Sequence, residues 1–130
     1  MTYKDLSRVA VSQGERVKVL VAFSESPSRF WIQLESEKQK IDDILNQMFD
    51  FYSESTDESL KPAVVSPGDA VAALYPEDES WYRARVESVE GEQVTVMFLD
   101  HGNTETVGLD NIRRLSQAFT ALPIQVRREA

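Results

Sequence analysis

The chain has 130 residues, 42% of them hydrophobic, which is enough for one domain with a core but too little for two. Its formal net charge of −8 and scattered Lys and Arg argue against nucleic acid as the main ligand, and an acidic surface favours cationic partners. Charge alone does not separate that interpretation from one in which acidity only aids solubility. The absence of cysteine excludes disulfides and thiolate metal sites, and no apolar run is long enough to cross a membrane.

The first third of the chain has the pattern of two strands. Residues 1–14 are mostly polar, and we interpret them as a leader or linker, or as a strand that adds to a sheet. Apolar side chains alternate over residues 16–23, which predicts a half-buried strand. Turn residues follow at 24–29, and the alternation returns over residues 30–34 as the second strand of a hairpin.

A helical period begins after these strands. It predicts a helix of about four turns, with Ser36 as its N-cap. Residues 53–62 then lose all periodicity and are predicted to be a solvated connector. The apolar stripe of the helix consists of Ile41, Ile44, Leu45, Met48 and Tyr52.

Residues 67–115 have the pattern of a meander of short antiparallel strands. Polar breaks at residues 76–80 and around Gly91 join the first strand to the second and the second to the third. Shorter strands are predicted at residues 104–107 and 112–115. The inward rows of the first three strands are Val71, Ala73 and Tyr75, then Tyr82, Ala84 and Val86, then Val94, Val96 and Phe98.

Aromatic side chains occur where three of these strands end. If Gly91 marks the tip of the second hairpin, Tyr82 and Phe98 lie together at the far end, and Tyr75 lies there too. The turn at residues 101–103, His-Gly-Asn, closes over the same end, and Gly102 there suits a positive φ. The sequence therefore predicts a barrel mouth lined by aromatic faces, which attract bulky cations such as methylated arginine or lysine.

The strings SWYRARV (residues 80–86) and VMFLDHGN (residues 96–103), within residues 73–115, resemble the core of a Tudor domain. Together with FSESPSRFWIQL before them and ALPIQV after them, they resemble the extended Tudor domain of germline proteins. In that family a Tudor barrel is inserted into a staphylococcal-nuclease-like fold. The resemblance covers the chain from about residue 15 to its end. It implies a mainly β fold: a bent, antiparallel five-stranded barrel, plus two N-terminal strands and one long helix of a partial nuclease-like half of oligonucleotide-binding type.

This resemblance implies a division of the chain into four parts. A leader or linker (residues 1–14) is followed by the N-terminal part of the nuclease-like half (15–62), the Tudor barrel (63–116) and the start of the C-terminal nuclease-like part (117–130). The family completes this last part with strands and a helix after the barrel, whereas this sequence ends at Ala130. We therefore expect an incomplete half, or one completed by another chain.

The resemblance also implies a function, that of a non-catalytic module without a cofactor. It would bind symmetrically dimethylated arginine in the N-terminal tail of a Piwi-type Argonaute, in cytoplasmic, perinuclear germ granules of the piRNA pathway. Asn103 would bond the remaining guanidinium N–H, and Asp100 and Asp78 would support the site. The positions that match the family's aromatic cage are Tyr75, Tyr82, Phe98, His101 and Asn103.

His101 departs from the family pattern, which usually has tyrosine at this position. Imidazole binds cations less well than phenol does, and once protonated it would repel them. This favours an alternative, a scaffold or dimerisation module with a degenerate cage that binds unmethylated peptide or a second copy of itself. A third hypothesis, a nucleic-acid-binding remnant of the nuclease fold, is disfavoured by the acidic charge.

Each of these residues also has a purely structural interpretation. The three mouth aromatics could be core residues, Asn103 a turn residue, Asp100 a cap of backbone N–H groups and Asp78 a solvated loop charge. Trp31 and Trp81 are predicted to be packing residues, with Trp81 facing the helix side, because its parity is opposite to that of the inward row. One histidine beside scattered carboxylates makes neither a catalytic nor a metal site.

An incomplete sheet exposes a strand edge and apolar surface, so we expect self-association. Light scattering over a wide concentration range measures this directly. A strict monomer at every concentration would contradict the expectation.

Overall fold

The computed structural model describes residues 19–26, 29–54 and 58–129, which form two antiparallel sheets and one long helix. The first sheet contains β1 (Val19–Ser26), β2 (Arg29–Leu34) and β8 (Arg127–Glu129), in the order β1-β2-β8. The predicted hairpin is therefore present. β8 was not predicted, and the predictions for residues 1–14 and for the start of β1 lie outside the described residues.

The helix α1 (Lys38–Glu54) has 17 residues and follows a 3₁₀ turn at Glu35–Glu37. The predicted N-cap is wrong, because Ser36 lies inside this 3₁₀ turn. The N-cap of the turn is Leu34, and no side chain caps the turn by a hydrogen bond. The predicted stripe is confirmed for Ile41, Ile44, Met48 and Tyr52, which are buried, while Leu45 at its edge is half-buried. No helix in the described part of the chain is long and apolar enough to cross a bilayer.

The second sheet has five strands: β3 (Ala70–Tyr75), β4 (Ser80–Glu90), β5 (Gln93–Phe98), β6 (Thr104–Gly108) and β7 (Ile112–Arg114). Their order in the sheet is β6-β5-β4-β3-β7. Successive hairpins join the first four strands along the chain, and β7 returns to pair with β3. Side chains from all five strands enter one core, so the sheet closes around it as the predicted barrel.

A second core lies between α1, the outer face of the barrel and the segment that follows β7. Met48 and Tyr52 of α1 pack there with Trp81, whose outward parity is thereby confirmed. The Tyr52 hydroxyl donates a hydrogen bond to the carbonyl of Arg114 (2.7 Å) and accepts one from the backbone N–H of Ser116 (2.9 Å). The end of the helix is thus fixed to the end of β7.

A buried ion pair joins the barrel to its surroundings. Arg83 of β4 is 1% exposed and Asp100 is 2% exposed. Their contact is bidentate: Nε of Arg83 donates to one carboxylate oxygen at 2.9 Å and Nη2 donates to the other at 2.5 Å. This pair was not predicted, because a polar residue at an outward position of a strand, such as Arg83, suggests exposure.

The remaining bonds of this pair reach two other parts of the fold. Arg83 also donates to three carbonyls of the segment after β7, those of Phe119, Leu122 and Pro123. Asp100 accepts the backbone N–H of Gln125 (2.9 Å), and its own carbonyl accepts a bond from the Gln33 side chain of β2. Asp100 therefore does accept a backbone N–H, as predicted, but from a distant segment, and its main partner is Arg83.

Replacing Asp100 by Asn should test how much the fold depends on this pair. The change keeps the shape of the side chain but leaves Arg83 buried without a counter-charge, so we expect a loss of about 3–5 kcal/mol in the free energy of unfolding, measured with urea. The matched control is Glu87→Gln, which breaks the partly exposed pair with Arg85 and should cost under about 1 kcal/mol. Equal losses in the two variants would contradict the conclusion that the fold depends on the buried pair.

Candidate functional site

Three aromatic rings lie together at one end of the barrel, as the sequence predicts. Tyr75 ends β3, Tyr82 lies near the start of β4, and Phe98 ends β5. The ring centroids are 6.2 Å apart for Tyr75 and Tyr82, 5.5 Å for Tyr75 and Phe98, and 5.3 Å for Tyr82 and Phe98. Phe98 is buried and forms the base of this barrel mouth, while the two half-buried tyrosines form its walls.

The loop between β3 and β4 fixes both tyrosine rings. The Tyr75 hydroxyl donates to the carboxylate of Glu77 (2.9 Å), and the Tyr82 hydroxyl donates to that of Asp78, which also accepts the backbone N–H of Ser80. The bond to Glu77 raises the pKa of Tyr75 to about 12, and burial followed by the bond to Asp78 raises the pKa of Tyr82. Both phenols therefore stay neutral at physiological pH.

His101 forms a further wall of the mouth. Its ring lies 5.0 Å from that of Tyr82, edge to face, and its Nδ1 is buried without a hydrogen-bond partner among the described residues. Burial lowers the pKa of His101, against the opposing influence of Asp100, Asp78 and Asp42. The imidazole is therefore neutral near pH 7, and the mouth contains no positive charge of its own at this position.

Asn103 ends the turn that carries His101. Its carbonyl accepts the backbone N–H of Phe98 (2.9 Å), and the backbone N–H of Gly102 donates to the Phe98 carbonyl (2.8 Å). Asn103 thus closes the turn through its backbone, but its φ is not positive, so a turn role for the asparagine side chain stays a prediction. Its half-buried side chain makes no hydrogen bond to any residue that the structure describes, so the amide is available to a ligand.

Trp31 of β2 packs against this turn at Gly102. The φ of Gly102 is +94°, and a Cβ added there would lie 2.5 Å from Cγ of Trp31 and 2.7 Å from its Cβ. Only glycine lets the tryptophan approach so closely. The sequence predicted the positive φ and the packing role of Trp31, but it gave no sign that the two residues meet.

Carboxylates from several elements surround the mouth. Glu77 and Asp78 lie in the β3–β4 loop, and Glu105 of β6 contributes to the raised pKa of Tyr75. Asp42 of α1 acts on His101. With aromatic faces inside and negative charge around them, the arrangement attracts a cation. No group of residues suited to hold a metal ion occurs in the described ranges.

A sequence model of the Tudor domain matches residues 11–128. The chain belongs to the Tudor domain family. Tudor domains are peptide-binding modules rather than enzymes. This Tudor domain is 37% identical to the human Tudor and KH domain-containing protein over 113 residues. The aligned region covers 85% of this chain and 20% of that protein. It is 31% identical over 112 residues to a Xenopus laevis Tudor domain-containing 6-like protein, covering 86% of this chain and 6% of that one.

Solved extended Tudor domains have the same fold. One from mouse TDRD1, in complex with a MILI peptide containing dimethylarginine, superposes with a TM-score of 0.85 at 26% identity, over 95% of this chain and 63% of that one. Drosophila melanogaster Papi, in complex with a methylated Piwi N-terminal peptide, superposes with a TM-score of 0.81 at 26% identity, over 86% of this chain and 58% of that one. This Tudor domain thus spans about three fifths of these domains and a small part of the curated relatives.

Gly102→Ala should displace Trp31 and with it the turn. We expect a loss of about 2–4 kcal/mol in the free energy of unfolding, because the new methyl group adds a collision to an unfavourable φ. Gly91→Ala is the matched control: its φ is +63° and nothing lies within 4 Å of the added Cβ, so it should cost about 1 kcal/mol. Urea unfolding measures both free energies. Similar losses would show that the collision with Trp31 does not add to the cost of the substitution at Gly102.

His101 should make the domain less stable in mild acid. Because burial lowers its pKa in the folded state, the unfolded chain binds this proton more readily, and stability is lost as pH falls from the ordinary histidine pKa, about 6.5, through the lowered value. Between pH 7.5 and 5.5, the wild type should lose up to about 1.4 kcal/mol more than His101→Tyr. Urea unfolding at both pH values measures this, and parallel losses in the two proteins would exclude the effect.

Proposed function

We propose that this Tudor domain binds a peptide through a symmetrically dimethylated arginine, held in a cage formed by Tyr75, Tyr82, Phe98 and His101. The observation that carries the proposal is the convergence of three aromatic rings, with centroids 5.3 to 6.2 Å apart, at one end of the barrel. Each ring belongs to the end of a different strand, so the sheet holds the backbone of all three, and the β3–β4 loop orients the two tyrosines.

The chemistry of the ligand matches this cage. Dimethylation keeps the positive charge of arginine, removes N–H donors and adds apolar surface, which suits an aromatic enclosure better than an open salt bridge. Each contact between the cation and a ring face contributes about 0.5–2 kcal/mol. The amide oxygen of Asn103 would accept one of the remaining guanidinium N–H groups, since no described residue occupies it.

The electrostatics of the mouth support a cationic ligand despite His101. A neutral imidazole presents a ring without adding a repelling charge, and the carboxylates of Asp78 and Asp42 lie close enough to influence it. In the same way, the bonds to Glu77 and Asp78 keep the phenols oriented and neutral. Histidine in place of tyrosine should therefore weaken the binding of a cation by the cage without abolishing it.

The partner we propose is the arginine-rich N-terminal tail of a Piwi-type Argonaute. Support comes from the dimethylarginine, MILI and Piwi peptides in the solved relatives. The Papi domain has also been solved with an unmethylated Piwi peptide. Together with His101, that observation supports a second candidate function, that of a scaffold with a degenerate cage that binds unmodified peptide.

Localisation in cytoplasmic germ granules, implied by the family resemblance, stays a prediction.

Calorimetric titration with one arginine-rich peptide in unmodified, symmetrically and asymmetrically dimethylated forms tests the proposal. The symmetric form should bind about tenfold more tightly than the unmodified one, and Tyr75→Ala should remove that preference. Val89→Ala, an exposed residue near the opposite tip of β4, is the control and should leave it intact. Equal binding of the three forms, or none, would support the scaffold function instead.

His101→Tyr should strengthen binding of the symmetric form by about three- to tenfold, because a phenol ring attracts a cation better than imidazole does. The same titration measures the gain, and circular dichroism verifies the fold of the variant. A folded variant without any gain would argue that the barrel mouth is not the binding site.

A further inference from the structure

A cavity of about 250 Å³ lies at the end of the barrel opposite the mouth, where β3 begins and β7 ends. We call it the base pocket. Val71 in its lining and Tyr75 in the mouth are four residues apart on β3, which corresponds to about 13 Å. The base pocket is therefore separate from the cage, and no residue of α1 lines it. Its lining includes Pro62, Val64, Val65, Asp69, Val71 and Arg114.

The lining combines buried and exposed valines. Val65 and Val71 belong to the barrel core and are 7% and 4% exposed, whereas Val64 is 80% exposed. The pocket thus offers apolar surface that a ligand side chain can remove from water, which is the main favourable contribution in most associations.

Arg114 brings a positive charge to this lining. Its Nε donates to the carbonyl of Ser59 (3.0 Å), which fixes the guanidinium, and its Nη groups bond to no residue that the structure describes. Asp69 lines the same pocket but forms no ion pair with Arg114, and its carboxylate accepts the backbone N–H of Ser66 (2.8 Å). Arg114 thus presents N–H donors in the planar arrangement that suits a carboxylate.

The segment before β3 forms one side of the pocket and leaves backbone groups unpaired. Ala63, Val64 and Val65 lie in no helix or strand, and their backbone N–H and C=O groups form no hydrogen bond within the described part of the chain. An extended peptide that lies along this segment can bond to it as an added strand does.

Spacing decides which kind of carboxylate fits. Arg114 and Val71 are directly opposite each other in the β3–β7 pair, so their side chains lie on one face, with Cβ atoms about 5 Å apart. The ligand must present a carboxylate and an apolar side chain at a similar spacing and to the same side. Within an extended peptide, neighbouring side chains point to opposite sides, and those on one side are about 7 Å apart. A C-terminal residue meets the condition, because its carboxylate and its side chain are attached to the same Cα.

We propose that the base pocket binds the C-terminal residue of a partner peptide that ends in an aliphatic side chain such as leucine. The terminal carboxylate pairs with Arg114, the side chain packs on Val65 and Val71, and the preceding backbone bonds along residues 63–65. The terminal carboxylate is charged at pH 7, since its ordinary pKa is about 3.5. This inference does not depend on the cage, which lies at the other end of the barrel.

The test titrates the whole chain, isotope-labelled, with N-acetylated Gly-Gly-Gly-Val-Leu and follows its backbone amide signals by NMR. The free acid should bind about tenfold more tightly than the C-terminal amide, because only the acid pairs with the guanidinium. The signals of Val64, Val65 and Arg114 should shift, whereas those of Tyr75 and Phe98 should not. An amidated peptide with an internal Leu-Glu pair should bind no better than the first amide.

Arg114→Gln should reduce the affinity for the free acid about tenfold, to that of the amide. The matched control is Lys61→Gln, which removes an equal charge beside the pocket. Lys61 pairs with Glu58 and does not line the cavity, so this variant should keep at least about half of the affinity. Circular dichroism verifies the fold of both variants.

Equal binding of the acid and the amide, or no binding of either, would overturn the proposal. If the internal Leu-Glu peptide binds as tightly as the free acid, the pocket takes a side-chain carboxylate, which overturns the choice of a chain end. Equal losses in the two variants would reduce the contact to general electrostatic attraction and would also overturn it. Arg114→Gln should bind the dimethylarginine peptide like the wild type, so that the cage and the base pocket are tested separately.

Discussion

The buried pair of Arg83 and Asp100 is the interaction on which the arrangement of this domain depends. Two charges removed from water carry a large desolvation cost, which is offset only when each donor and acceptor finds a partner. Here that condition joins β4, which supplies the arginine, the turn that carries Asp100, and the segment after β7, which supplies carbonyls and the Gln125 N–H. Gln33 of β2 bonds the backbone carbonyl of Asp100 and so holds the turn. If the segment after β7 moves, the buried charges lose part of their compensation.

This constraint bears directly on the candidate site, because Asp100 precedes His101 in the chain. The turn is fixed on one side by the ion pair and on the other by Trp31 against Gly102. Tyr75, Tyr82 and Phe98 are positioned by the barrel strands, and the β3–β4 loop orients the two tyrosine rings, whereas the position of His101 depends on the first sheet as well. The mouth is therefore a joint product of both sheets, which explains how an extended fold contributes to a site on its barrel.

Charge has two roles around the mouth. The carboxylates of Glu77 and Asp78 accept hydrogen bonds from the tyrosines and so fix the ring orientations, and the same negative charges favour a cationic ligand. The imidazole stays neutral because its burial outweighs the nearby carboxylates. On the helix side, Asp42 has no cationic partner among the described residues, and it is near enough to act on His101.

The sequence by itself determined the strands of the barrel, the helix stripe and the inward parity of Tyr75, Tyr82 and Phe98. It also determined the outward parity of Trp81, because periods of two and 3.6 residues are local properties of the chain. The tertiary structure alone decided that Arg83 is buried, that Gln33 and Trp31 support the turn, and that β8 joins the first sheet. Asp100 and Gln33 are 67 residues apart, and Arg83 and Pro123 are 40 apart, so no local pattern records their contacts. The prediction for Ser36 failed because it used only a local capping preference. In the structure, β2 connects to the helix through a 3₁₀ turn that contains Ser36.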